Sequence, residues 1–508
     1  MTTLPRDVET LVLGGGTTGS VVAGLLAERG RGHVLVIEAG PDHGPHDSGR
    51  WPGDLLNAAE LGQSHDWGYS SERTYADRTV PFQRARVIGG CSSHNGCAAI
   101  WGHRADYDAL AAVTGEPGWS TDALLPFFHE ANRRMRVVHY ADADTTPFHA
   151  AALAAAAAAG IPVGADLNDL DDPVAMALSP SNVPGGTRWN AAFAYLDPVR
   201  TRGNLTIAGD MLVDRLIIEG DRVAGAIAIG PDGPVEIRAS RTIVAGGAYG
   251  SPAILLRSGI GDPDEVRAAG VTPRHALPGV GRNLHDHPAI CLEYAGTPGL
   301  IAVMESFERD HWMPEEQTIA KLRSSQGDAA FDLHMYPVGG RSATQPGAWS
   351  WLIWAACMTP RSRGSVCLRS ADPAVAPLID HRYLSDPDGH DRAVLRDGIA
   401  IIRDVAARSP LHELLGAEIA PGPAAADMAA LDRFLDGSVS HYYHPVGTCA
   451  MGTDRSAGAV VDGRGRIHGL RDGYVADCAI LPTVPRANTN IPAVVIGERI
   501  AAWLLAGA

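Results

Sequence analysis

Cysteine is scarce and scattered in this chain: seven residues, Cys91, Cys97, Cys291, Cys357, Cys367, Cys449 and Cys478, with no CxxC pair among them. An odd, dispersed set excludes a disulfide framework, offers no zinc or iron–sulfur spacing, and fits a reducing compartment. Basic residues are in deficit, 42 Lys and Arg against 58 Asp and Glu, for a formal net charge of -16. That balance repels nucleic acid and anionic membrane surfaces; it reads first as solubility charge and second as attraction for a cationic substrate. Long apolar runs are missing too. Nothing approaches the roughly 18 apolar residues of a membrane span, and the opening MTTLPRDVETLVLGGG enters a strand pattern with no basic and apolar leader before it. A cytoplasmic protein without a membrane span or a nucleic-acid partner is the expectation. No internal repeat and no long disordered linker is visible.

The 508 residues are 45% hydrophobic, enough for a large core in two or three domains or in one elaborated α/β unit. The stretch ETLVLGGGTTGSVVAGLLAERGRGHVLVIEAG predicts strand, glycine turn, helix and second strand. Leu11 to Leu13 lead into Gly14, Gly16 and Gly19, the helix closes at Gly30, and Val34 to Ile37 end at Glu38. Glycine lets backbone approach a pyrophosphate, the helix N-terminus offers unpaired N–H groups, and Glu38 can accept hydrogen bonds from a ribose. This βαβ unit predicts dinucleotide binding; alone it leaves an NAD-dependent dehydrogenase and a plain α/β crossover open.

Further along, 149–160 predicts an alanine-rich helix ended by Gly160, 204–230 a β-meander, and 241–261 another strand, glycine turn and helix. Residues 290–440 read as an inserted antiparallel sheet with helices. The tail DGYVADCAILPTVPRANTNIPAVVIGERIAAWLL predicts a strand ending near Asp477, a proline-punctuated loop, and a helix opening near Pro492 whose N-terminus would stabilise negative charge on a cofactor.

Six separated segments together resemble the glucose–methanol–choline (GMC) oxidoreductase family of flavoproteins. They are LGGGTTGSVVAGLLAE, RARVIGGCSSHNGCAAIWGHRADYDAL, GAYGSPAILLRSGIG, GVGRNLHDHP, HYYHPVGTCAMG and VADCAILPTVPRANTNIPAVVIGERIA, and they span nearly the whole chain. GGCSSHN, RSRGSVCLRS and YLSDPDGHD are most similar to the choline-oxidase branch. The resemblance implies an α/β fold: a Rossmann-like FAD-binding domain built from discontinuous segments, with an α+β substrate domain containing an antiparallel sheet. On that plan 1–145, 201–290 and 441–508 form the FAD-binding domain, 146–200 a connecting segment with part of the substrate domain, and 291–440 the substrate-binding domain.

The resemblance also implies site residues. FAD would meet Gly14, Gly16, Thr18, Gly19 and Glu38; Arg86, Gly89, Gly90, Ser93, His94, Asn95 and Gly96; Val213 and Gly246; and Asp477, Ala479, Asn490, Ile491 and Pro492. His94 falls where the choline-oxidase branch bonds a histidine to the flavin 8α-methyl; a noncovalent, hydrogen-bonding His94 is the alternative. Alcohol oxidation needs a base near the hydroxyl and an electron sink near the carbon. His444 in YHPVGT would be the base, and Asn488 in RANTN would donate to the developing alkoxide and place the substrate. His334, Tyr442 and Glu305 are the substrate-pocket candidates, Glu305 as carboxylate partner for a cation. Two departures from the branch, Gly96 for serine and Tyr442 for valine, put choline itself in doubt and point to a more hydroxyl-rich substrate. His441 and the His285-Asp286-His287 run lack a matching carboxylate or cysteine cluster, so no metal is expected.

The expected function is FAD-dependent oxidation of a small primary alcohol, such as a cationic amino alcohol, choline analogue or amino sugar, to the aldehyde. Oxygen, or a quinone or redox partner, would reoxidise the flavin. A hydroxynitrile-lyase-like enzyme without net redox chemistry is the other class this fold allows, and a homodimer is left open.

Overall fold

The structure, a computed structural model, describes residues 4–72, 77–171, 174–327, 330–342, 348–425 and 427–507. Its first sheet is built around the strand Asp7–Leu13, which pairs in parallel with Val34–Ile37 on one side and with the second half of Gly233–Val244 on the other. Leu11, Val12 and Leu13 are all fully buried. Such an apolar run without alternation is what a strand covered on both faces requires. Leu205–Ala208 extends the parallel order beyond Val34–Ile37. This corrects the meander read from 204–230: the antiparallel hairpins are made by Leu212–Glu219, Arg222–Gly230 and the first half of Gly233–Val244. Gly473–Val475 returns from the far end of the chain to pair in parallel with Thr242–Val244.

The helix Thr17–Arg29 stops at Gly30 as its sequence predicts, and ten of its residues are buried. Burial nearly all round follows from its place between the sheet and the C-terminal helix Asn490–Leu505. At their crossing a Cβ on Gly497 would come within 2.8 Å of the Val21 side chain, so the missing side chain sets how closely the two helices approach.

The second sheet is antiparallel, in the order Leu415–Ala420, Pro288–Gly296, Trp349–Cys357, Leu333–Arg341, Thr318–Leu322 and Ala175–Leu178, with Ser440–His441 paired to the start of Pro288–Gly296. Strand alternation divides its two faces. Met335, Ile353 and Ala355 join the core with Ile399 and Ile402 of the helix His390–Ala406. Tyr336 and Val338, paired across the ladder with Trp354 and Leu352, turn the other way and line a cavity between the sheets. The alanine-rich helix runs over Pro147–Ala158 and packs against the helical side of this sheet. Among the described residues no helix is long and apolar enough to cross a membrane.

Candidate active site

The cavity encloses about 820 Å³ and runs from the C-terminal ends of the parallel strands to the antiparallel sheet. One end is the glycine turn. Gly14 has φ +108°, and a Cβ there would stand 2.4 Å from the Ala245 carbonyl oxygen. Gly16 lines the cavity and has nothing nearer than 3.8 Å to a hypothetical Cβ, so a side chain would occupy the groove itself. Gly16 caps the helix Thr17–Arg29 without a side-chain hydrogen bond, leaving first-turn N–H groups for an anion. Glu38 also lines the cavity. Its Oε2 accepts from Gly15 N–H and its Oε1 from Gly40 N–H, both at 2.9 Å; burial pushes the carboxyl up, and one lone pair on each oxygen remains for a ligand. Glycine cradle, open helix end and fixed carboxylate suit a dinucleotide such as FAD.

The polar turn at 89–97 touches the first turn directly: a Cβ on Gly90 would stand 2.6 Å from Gly16 Cα. Gly90, His94, Asn95, Gly96 and Arg86 line the cavity. Gly89 and Ser93 do not; Ser93 donates to the Ile88 carbonyl at 3.2 Å and shapes the turn from behind. His94 is buried, its Nε2 bonded to the Ser64 carbonyl and its Nδ1 without a partner. Burial lowers its pKa and keeps the imidazole neutral. Thr18, Val213, Gly246, Asp477 and Asn490 are on the wall as well, whereas Gly19, Ala479, Ile491 and Pro492 pack behind it. Asp477 spends its carboxylate on the protein: Ser251 Oγ donates to it at 2.6 Å, Gly247 N–H at 2.9 Å and Ala479 N–H at 2.7 Å.

At the other end His444 and Asn488 both line the cavity. The His444 ring meets His287 through the two Nδ1 atoms at 3.0 Å, and its backbone N–H donates to Asp286 Oδ1 at 2.9 Å. His287 is fully buried and its Nε2 has no partner. Burial lowers the pKa of both histidines, to about 3 for His287, and lifts the Asp286 carboxyl to about 7. With Nδ1 engaged, Nε2 is the nitrogen His444 offers to the cavity. Asn488 Oδ1 has no partner, and its amide lies beside the Tyr442 hydroxyl.

Tyr442 lies over His444 at 4.5 Å and stacks on Tyr336 at 4.4 Å; Tyr336 in turn stacks with Trp354 at 6.1 Å. Two pocket candidates are corrected here. His334 shares the cavity face of its strand with Tyr336, but the Tyr442 ring covers it; it is fully buried and neither ring nitrogen has a partner. Glu305 is on the outer helix Pro298–Glu308, nearly half exposed, and pairs with Arg341 at 3.6 Å. At this end of the cavity the carboxyls on the wall are Glu315 and Glu316. Their signal was the acidic pair in PEEQTIAKL, at the threshold of a strand pattern, where a solvated turn is the ordinary reading.

The fold brings His444 to the HDH run, so that ligand atoms of Asp286, His287 and His444 lie within 4.8 Å of one another. His287 Nδ1 and Asp286 Oδ1 are already engaged by His444. A second group, Cys357, His390 and Asp391, has both Asp391 oxygens accepting backbone N–H groups, from Arg361 and Ser362.

Sequence models of GMC oxidoreductases match residues 8–289 and 360–497. An oxygen-dependent choline dehydrogenase of Chromohalobacter salexigens is 31% identical, over 98% of this chain and 95% of that protein. Among solved structures, pyridoxine 4-oxidase from Mesorbium loti superposes with a TM-score of 0.85 at 28% identity, covering 97% of this chain and 98% of that one. A formate oxidase with a TM-score of 0.85 at 22% identity shares the fold. The chain belongs to the GMC oxidoreductase family, FAD-dependent enzymes that act on CH–OH groups.

Proposed function

We propose that the enzyme oxidises a small primary alcohol to its aldehyde, with His444 taking the hydroxyl proton. The contact between His444 and His287 carries this reading. For Nε2 to accept a proton, Nδ1 must hold the ring hydrogen, which on this reading makes His287 Nδ1, 3.0 Å away, the acceptor of the pair. Burial keeps His444 unprotonated at neutral pH. Asn488 donates from its amide to the oxygen as it loses its proton, holding the developing alkoxide against the hydride acceptor. FAD, when bound along the glycine cradle, supplies the two-electron acceptor for the hydride.

His94, neutral and on the wall, is the proposed covalent attachment point, and oxygen the proposed electron acceptor. The relatives' printed activities, on choline and on pyridoxine, are both oxidations of a nitrogen-bearing alcohol, which supports the same class of substrate here. Residues 1–145, 201–290 and 441–508 are read as the FAD-binding part.

The test is anaerobic. Mixing the flavin-loaded enzyme with primary alcohols should bleach its visible absorbance, and His444→Ala should retain the flavin but bleach at least about 100-fold more slowly. A flavin that no alcohol reduces would overturn the reading.

A further inference from the structure

His444 sits on a short stretch of chain between two anchored points. Ser440–His441 pairs with Ala289 and Pro288, and Val446 exchanges backbone hydrogen bonds with His285. Between them, among the described residues, 442–445 have no strand partner. The stretch turns at Tyr443, whose φ of +65° is left-handed. A bulky aromatic residue holds that conformation only where its surroundings impose it.

Two side chains grip one peptide unit there from its two ends. Arg84 Nη1 donates to the Tyr443 carbonyl at 3.1 Å, and the N–H of the same unit, that of His444, donates to Asp286 Oδ1 at 2.9 Å. A guanidinium at the C=O end and a carboxyl at the N–H end both lie along the peptide dipole in its favourable sense. Little else engages either group. Arg84 Nη1 has a long contact with Cys91 Sγ at 3.8 Å, while Arg84 Nε and Nη2 and Asp286 Oδ2 are buried without hydrogen-bond partners. The rings of Tyr249 and Tyr443, each centred 5.8 Å from the guanidinium, confine it. Holding this peptide plane fixes ψ of Tyr443 and φ of His444, so the His444 side chain leaves the backbone in one direction, and the contact with His287 then sets its ring.

We infer that Arg84 and Asp286 are positioning residues for the oxidation: together they hold the Tyr443–His444 peptide in its left-handed turn and so aim His444 Nε2 at the substrate hydroxyl. This rests on the reading of His444 as the base. Neither residue takes part in proton or hydride transfer. A carboxyl protonated on Oδ2 still presents Oδ1 as an acceptor, so the grip outlasts the titration of Asp286, and an asparagine amide oxygen can stand in for it.

The experiment follows anaerobic bleaching of the flavin-loaded enzyme by choline, pyridoxine and 2-aminoethanol, and carries the fastest of the three through the variants. It reads the limiting rate and the alcohol concentration that gives half of it. Arg84→Met and Asp286→Leu should each lower the limiting rate about 10- to 100-fold, the range of a hydrogen bond to a charged group, with the half-saturating concentration nearly unchanged. Arg84→Lys and Asp286→Asn should each recover part of the loss. Because both side chains act on one peptide, the double variant Arg84→Met/Asp286→Leu should be little slower than the slower single variant. It leaves no buried charge unpaired, so it also serves if a single variant fails to fold. Losses that multiply in the double variant, or variants that bleach at the wild-type rate, would overturn the inference and leave alcohol oxidation standing. Arg84→Met protein that purifies without flavin would assign the guanidinium to the cofactor and overturn it too. A wild type that none of the three alcohols reduces would sink the alcohol reading, and the inference with it.

Discussion

His287 and His444 face each other through their Nδ1 atoms at 3.0 Å, both enclosed by protein. Of two neutral imidazoles in this geometry only one can hold a hydrogen between them, so each ring dictates the tautomer of the other. His287 is therefore a positioning residue for the proposed base. Replacing it with alanine should lower kcat by about 10- to 100-fold with KM nearly unchanged, as expected for losing a hydrogen bond to a group that becomes charged in the transition state. His287→Asn, which keeps an acceptor near the Nδ1 position, should recover part of the loss. A structural role alone would move flavin content and melting temperature without this split.

The pH dependence of kcat with a neutral primary alcohol should differ from that of a solvent-exposed histidine. Burial, together with His287, Arg84, His334 and His441 around it, holds the His444 imidazole well below its ordinary value of 6.5. The base is unprotonated above its pKa, so activity is retained as the pH falls through 6.5 and is lost only lower down. A rate that halves near pH 6.5 would contradict this assignment.

His94 gives a measurement that needs no turnover. If it is the attachment point, acid precipitation of the wild-type protein leaves the yellow colour with the chain, whose intact mass is raised by one FAD, and His94→Ala releases the flavin. Wild-type protein that releases its flavin in acid would make His94 only a neighbour of the ring, held by the Ser64 carbonyl.

Gly14→Ala should purify with little or no flavin. Its Cβ would stand 2.4 Å from the Ala245 carbonyl oxygen at a φ of +108°, so the turn must open, at a backbone cost of about 1–3 kcal/mol. A variant with wild-type visible absorbance would show that the turn is not cofactor-forming.

The opening βαβ unit was legible almost to the residue, because its signals are local: a buried strand, glycines at a turn, and a helix stopped at Gly30. The turn at 89–97 and the two separate segments bearing His444 and Asn488 could be found by resemblance, since each motif is contiguous in sequence. What escaped depends on distant pairings. Glu315 and Glu316 went unremarked in the sequence, because only Tyr336 and Trp354, on other strands, close over the same space. Glu305 stood in a plausible context, yet helical phase turns it toward Arg341 and away from the cavity. His334 had the right strand face but not the right depth, because Tyr442 arrives from more than a hundred residues later to cover it. Leu205–Ala208 read as part of a meander because alternation does not reveal which strand will be a neighbour.

The pairing of Gly473–Val475 with Thr242–Val244, and the packing of Asn490–Leu505 on Thr17–Arg29, also fix an order of events during synthesis. The glycine turn leaves the ribosome well before the helix that covers its own helix and the asparagine that completes the far end of the cavity. A nascent chain therefore carries an uncovered dinucleotide turn until those later segments follow, and the cavity is complete only once they have been made.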